Sequence, residues 1–268
     1  CGIENGDLQK GDSTLTKYPW TVVVSISFDS NNDPLKTGDI YFDSTKQKVA
    51  YQISGAIINS HYVLTTASLI YQRNYNDIFV HFGNHDELRS MLEVESVKTH
   101  EKFKLKGRQY NNDIALIKLK EAVWFDEKIR PICLPNEETN INQTIFNIAF
   151  YADFYTEWGQ LPITARKFVD LEMNLVPMDN CTKFYQNYFL SYPYKLDAKK
   201  HLCAVDAKGN VMPLGAILMD KSSEQSFAAG LLSFMSNTTK NFPQVFTNVS
   251  NYVTWIKNNT VVGEYCDD

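Results

Sequence analysis

Hydrophobic positions fall mostly into short runs of about four to eight residues. They are rich in Val, Ile, Thr, Phe and Tyr and are punctuated by Gly, Pro, Asn and Asp. Strands are predicted at 21–28, 52–58, 62–66, 78–82, 114–119, 227–234 and 244–248. Helical periodicity is poor until two late segments. Residues 178–189 have Asp179 or Asn180 as an N-cap. Residues 249–259 place Tyr252, Val253 and Ile256 on one face, with Trp255 beside it. Many strands at short spacing with few helices predict an all-β fold, a sandwich or a pair of barrels. Residues 131–147, proline-containing and polar, read as a hinge between two β halves, and 29–52 read as a long surface hairpin. That hairpin is either solvated or a partner contact.

Composition narrows the class. The chain has 268 residues, 21% of them charged, and a net charge of -5. Its length allows one large domain or two small ones. No apolar run approaches the ~18 residues of a membrane span, and the negative balance argues against nucleic acid. Five Cys and five N-x-[ST] sequons, at Asn142, Asn180, Asn237, Asn248 and Asn258, point to a secreted, extracellular protein with glycosylation candidates. The chain opens at Cys1 with no leader pattern, which reads as a mature or excised product.

A series of motifs runs the length of the chain in order. They are Tyr18-Pro19-Trp20, Ser54-Gly55-Ala56-Ile57-Ile58, Val63-Leu64-Thr65-Thr66-Ala67-Ser68 and Asn112-Asp113-Ile114-Ala115-Leu116. Arg130-Pro131-Ile132-Cys133-Leu134-Pro135, Gly230-Leu231-Leu232-Ser233-Phe234 and Pro243-Gln244-Val245-Phe246 follow. This order resembles a chymotrypsin/trypsin-like serine protease domain. The resemblance implies two six-stranded antiparallel β-barrels with a C-terminal helix, in a single domain over 1–268. Its halves are 17–130 and 131–248, with the helix at 249–259. It also implies disulfides Cys1–Cys133 and Cys181–Cys203, while two bridges usual in the family are missing because Ser54 and Leu69 replace Cys. Cys266 is left over, either a free or capped thiol or a bridge to another chain.

The same resemblance locates chemistry that is absent. Acyl transfer needs a Ser nucleophile, a His base and an Asp that orients the His. Asp113 matches the Asp, but the His position reads Ser68, 45 residues earlier as the family spacing requires. A hydroxyl cannot replace imidazole as a base near neutral pH. The nucleophile segment reads Met212-Pro213-Leu214-Gly215-Ala216, with Pro213 at the nucleophile, and no shift of one or two residues supplies a Ser. Proline also removes one oxyanion-hole N–H. Family zymogens are activated when a new amino terminus pairs with the Asp before the nucleophile. Here that position is Met212, and 7–12 holds no R-[IV]-[IV]-G-G. The stretch from Cys203 to Pro213 is short, so a wall of the substrate pocket is expected to be trimmed.

Other chemistry reads as structural. Asp113 is expected to be a buried, hydrogen-bonded carboxylate, and Ser68 a small filler donating to it. His81 and His85 share a strand face but stand about 13 Å apart, too far for one ion, so no metal is expected. His61, His100 and His201 are expected at the surface. Phe184, Tyr185, Tyr188, Phe189, Tyr192 and Tyr194 form either helix packing or a binding patch. No cofactor is expected. The expected function is a catalytically inactive homologue similar to insect clip-domain serine protease homologues, with an upstream clip module. By that resemblance it binds proteins of a haemolymph protease cascade in innate immunity or melanisation. Alternatives are a pseudoprotease in adhesion, carrying or developmental signalling, and a hydrolase with a relocated nucleophile.

Overall fold

The computed structural model describes residues 1–6, 17–29, 40–43, 48–82, 91–104, 110–136, 144–153, 166–188, 196–210, 212–235, 242–263 and 265. The first barrel holds β1 (Thr21–Asp29), β2 (Ile40–Asp43), β3 (Lys48–Asn59), β4 (Tyr62–Thr65), β5 (Ile78–Phe82), β6 (Met91–Thr99) and β7 (Ala115–Leu119). Its order is β1-β5-β6-β7-β4-β3, closed by β1 against β3, with β2 added on the outer side of β3. The second holds β8 (Ile145–Asp153), β9 (Arg166–Leu175), β10 (His201–Val205), β11 (Ile217–Asp220), β12 (Phe227–Phe234) and β13 (Gln244–Asn248), closed in the order β10-β13-β12-β11-β8-β9. All named strand pairs are antiparallel. This is the expected pair of six-stranded barrels. Closure leaves each barrel interior to be filled by alternate side chains.

Those interiors explain the apolar runs. Val22, Val24, Ile26, Ile57, Val63, Val80 and Ile117 fill the first barrel, and Phe146, Ile148, Phe150, Leu218, Leu232 and Phe246 fill the second. Of the hairpin expected at 29–52, the described residues are strand: Asp29 ends β1, Ile40–Asp43 form β2, and β3 starts at Lys48 and pairs with both; residues 30–39 and 44–47 lie outside the described residues.

Two helices remain. α1 (Met178–Tyr188) begins one residue before Asp179, so Asp179 and Asn180 lie in its first turn rather than capping it. α2 (Val253–Asn258) is shorter than expected because Val249–Tyr252 winds as a 3-10 turn. Tyr252, Val253 and Ile256 are buried as one face, as the periodicity predicted. Among the described residues no helix is long and apolar enough to cross a membrane.

Cys181 and Cys203 are bonded. The expected Cys1–Cys133 bridge is corrected: Cys1 is disulfide-bonded, but Cys133 is a buried thiol. Backbone contacts make the tie instead. The Gly2 amide donates to the Pro131 carbonyl, and the Ser226 amide donates to the Gly2 carbonyl. Gly2 sits at φ +61°, and a Cβ there would stand 2.5 Å from the Ser226 oxygen. Only glycine tolerates that combination. Beyond it, Glu4 pairs with Lys221 at 2.8 Å, and Lys17 pairs with Asp170 at 3.0 Å. Burial works against the Lys17 charge, but bonds to Asp170 and Tyr18 outweigh it and hold the ammonium above the ordinary lysine range. Cys266 lies outside the described residues.

Candidate functional site: a rebuilt protease cleft

The site is built where the barrels meet. Asp113 stands just before β7 and has no exposed surface. The preceding residue, Asn112, sits at φ +60°, and its side chain is fixed by Tyr252 and by the Lys102 carbonyl. That turn aims Asp113 inward. Ser68, at the end of the β4 segment, meets it: the Ser68 amide donates to Asp113 Oδ1 at 2.7 Å. The Ser68 hydroxyl lies 3.4 Å from Thr66 Oγ1.

The second barrel supplies the rest. Ser233 Oγ donates to Asp113 Oδ2 at 2.5 Å, and Thr247 Oγ1 donates to the Asp113 carbonyl at 2.9 Å. Burial pushes the Asp113 carboxyl up from 3.8 to about 6, against the bonds from Ser233, Ser68 and the Ala67 amide that favour the ion. No imidazole shares this carboxylate among its described partners.

Pro213 lies on a tight turn tied to the same strands. The Gly215 amide donates to the Leu232 carbonyl, next to Ser233, and the Ser54 amide donates to the Leu214 carbonyl. Gly215 sits at φ +79°, and a Cβ would stand 2.1 Å from the Ser54 oxygen. Ser54, at a position where the family has a Cys, thus makes its link through the backbone. Met212 is buried with Phe146, Phe150, Met173 and Leu202 in the second barrel's core. By the family resemblance, this apolar thioether stands where an activated protease would hold a carboxylate. The other oxyanion position, Val211, lies outside the described residues.

Aromatic rings close in beside Ser233. Tyr110 stacks on Phe234 with centroids 4.5 Å apart, and Tyr185 meets Phe234 in a T-shaped contact at 5.5 Å. Tyr185 is buried, and its hydroxyl donates to the Pro243 carbonyl. Phe184 packs edge-on against Phe242. For Phe184 and Tyr185 the aromatic stretch is therefore helix packing; the side chains of Tyr188, Phe189, Tyr192 and Tyr194 lie outside the described residues.

His201 corrects an expectation, since it is buried rather than at the surface. The Asp197 amide donates to its Nδ1, which leaves Nε2 to donate to the Tyr110 carbonyl at 3.4 Å. Burial lowers its pKa, as it does for half-buried His100, which packs against Tyr252 and Trp255. His61 is half-buried against Ser60. His81 is half-buried on β5, and His85 lies outside the described residues. Among the described residues no group of three His, Cys, Asp or Glu is placed to hold a metal. Of the sequon asparagines, Asn180, Asn248 and Asn258 are described, and Asn142 and Asn237 are not.

Ser233 and Thr247 are the site residues that sequence reasoning missed. The signal was present for Ser233, a lone hydroxyl in the otherwise apolar end of β12.

Residues 40–256 match the family model described as Trypsin. The chain belongs to the trypsin family. Among curated proteins it is 28% identical to the inactive CLIP domain-containing serine protease A8 of Anopheles gambiae, over 98% of this chain and 72% of that protein. It is 24% identical to phenoloxidase-activating factor 3 of Holotrichia diomphalia, over 98% of this chain and 75% of the relative. The CLIP domain-containing serine protease B4 of Anopheles gambiae is 24% identical over 97% of this chain and 72% of its own length. Among solved structures, the scabies mite inactivated protease paralogue S-I1 superposes with a TM-score of 0.67 at 20% identity, over 90% of this chain and 93% of that one. This family member resembles two CLIP domain-containing serine proteases, one of them named inactive, and a protein named for phenoloxidase activation.

Proposed function

We propose that this chain is a secreted trypsin-family homologue that has lost catalysis and acts by binding, as a cofactor or regulator in an extracellular protease cascade of insect immunity or melanisation. The observation that carries the loss of catalysis is that the residue meeting Asp113 at the base position is Ser68, which brings a backbone amide and no imidazole. The carboxylate that orients a protease histidine is here satisfied by the Ser68 amide and the Ser233 hydroxyl. With Ser at the base position and Pro at the nucleophile, neither proton abstraction nor attack has a group to perform it. The names of the phenoloxidase-activating and inactive relatives support the cascade reading. Fold alone would not, because one scaffold serves many tasks.

The test is a fluorophosphonate probe applied to the folded protein, with intact mass as readout and trypsin labelled in parallel. No adduct is expected. A single stoichiometric adduct would show a working nucleophile and sink the reading. The binding role is tested by recovery from body fluid: cascade proteases and prophenoloxidase-type targets support it, and matrix proteins or small ligands alone count against it.

A further inference from the structure

Three sequons lie wholly among the described residues: Asn180-Cys181-Thr182, Asn248-Val249-Ser250 and Asn258-Asn259-Thr260. They resemble one another in sequence and differ in what the fold does with the asparagine. We propose that Asn258 is an N-glycosylation site of the folded protein and that Asn248 is not.

Asn258 is the last residue of α2, is exposed, and shows no side-chain hydrogen bond among the described residues. Its neighbours along the surface are exposed Lys257 and then Val261 and Val262, which are 85% and 43% exposed. An oligosaccharide on Asn258 starts three residues along the chain from that apolar pair. It covers surface that is otherwise open to water.

Asn248 is engaged. It is half-buried at the end of β13, its Nδ2 donates to the Lys199 carbonyl at 3.2 Å, and its Oδ1 accepts from Ser250 Oγ at 2.8 Å. The nitrogen that would carry the sugar therefore points at backbone. The acceptor hydroxyl of its own sequon is the group holding its amide in place. Seating a glycan there breaks the link between β13 and the segment before β10.

Timing follows from Thr260. Its hydroxyl donates to the Ile256 carbonyl at 2.8 Å and contacts the Tyr265 hydroxyl, and the residue is buried. Transfer at Asn258 thus precedes closure of α2, and the closed helix then presents the product outward, whereas a glycan set on Asn248 at that stage meets the Lys199 backbone as β13 closes, so chains that carry one are excluded from the folded, secreted protein. In the transfer, Asn258 Nδ2 forms a bond to the anomeric carbon of a lipid-diphosphate-linked oligosaccharide. The anomeric C–O bond breaks, the lipid diphosphate leaves with the electron pair, and one amide proton passes to a base. Asn180 takes no part in the proposal, because the middle residue of its sequon, Cys181, is bonded to Cys203.

For the native protein the proposal rests on the extracellular reading. A secretion leader fused to the chain separates the two, since it sends the protein through the secretory pathway of a eukaryotic cell wherever the native chain resides. Secreted, disulfide-bonded material is treated with a peptide glycosidase in heavy-oxygen water, and the peptides are mapped by mass spectrometry. Label at position 258 and none at 248 is expected. Asn258→Gln should lower the secreted protein's mass by one glycan, and Asn248→Gln should lower it by none. An unlabelled Asn258, or label at Asn248, overturns the proposal.

Discussion

The two barrels contribute unequal halves to the old cleft. On the first-barrel side, Asp113 keeps its carboxylate, and the Ser68 amide occupies one of its oxygens. On the second-barrel side, Met212, which the family resemblance sets at the acid position, is buried among Phe146, Phe150 and Leu202. One carboxylate is retained and the other is gone because their partners differ. Asp113 is held by groups the fold supplies regardless of catalysis, namely an amide and the hydroxyls of β12 and β13. The acid before a nucleophile is needed only when an ammonium arrives to pair with it. On the proposed loss of catalysis, polar groups that serve the barrel junction outlast those that served activation alone.

The contrast is broken most forcefully at Met212. Met212→Asp puts a carboxylate into an apolar cluster with no cation, at a cost of roughly 3–5 kcal/mol. A denaturant midpoint lowered to match, or failure to fold, is expected; unchanged stability would mean that a cation reaches this position.

The next effect is a pH dependence at Asp113. Its carboxyl titrates at about 6 when folded and at 3.8 in an ordinary setting. Between those values the folded state binds more protons than the unfolded state. The stabilisation is therefore complete below pH 3.8 and is lost as the pH rises through about 6. Asn keeps an acceptor for the Ser68 amide and offers a donor to Ser233 Oγ. Asp113→Asn should gain on the wild type by about 2 kcal/mol between pH 4 and pH 7. Denaturation curves of both proteins across that range check this, and a constant difference would show that the carboxylate is not destabilised by burial.

The smallest effect lies outside the cleft. Lys17 bonds Asp170 with its side chain 42% exposed, so Lys17→Ala should cost under ~1 kcal/mol. The change should shrink further in high salt, because exposed pairs are screened. A larger loss would move the N-terminal segment from accessory tether to structural element.

Much of this was legible in the sequence, for reasons that particular residues make plain. The strand at 227–234 was readable end to end because Gly230, Leu231 and Leu232 sit in an unbroken apolar run. The pairing of Ser68 with Asp113 followed from fixed spacing within one barrel. β6 was not legible, because the register shift between Val94 and Ser96 breaks its alternation: Leu92 and Val94 share the interior face with Val97 and Thr99. Ser233 and Thr247 announced themselves only as polar residues in strands; that both converge on Asp113 depends on how two closed sheets abut. His201 misled because Lys199 and Lys200 give it a polar neighbourhood along the chain, while its ring turns toward Tyr110.

The bonds from Ser233 and Thr247 to Asp113 also bear on how the molecule comes apart. If either barrel opened alone, a buried carboxylate and two hydroxyls would lose their partners at once. The halves are therefore bound into a common melting unit. Amides near Ser68 in the first barrel and near Leu232 in the second should exchange with solvent through the same rare opening.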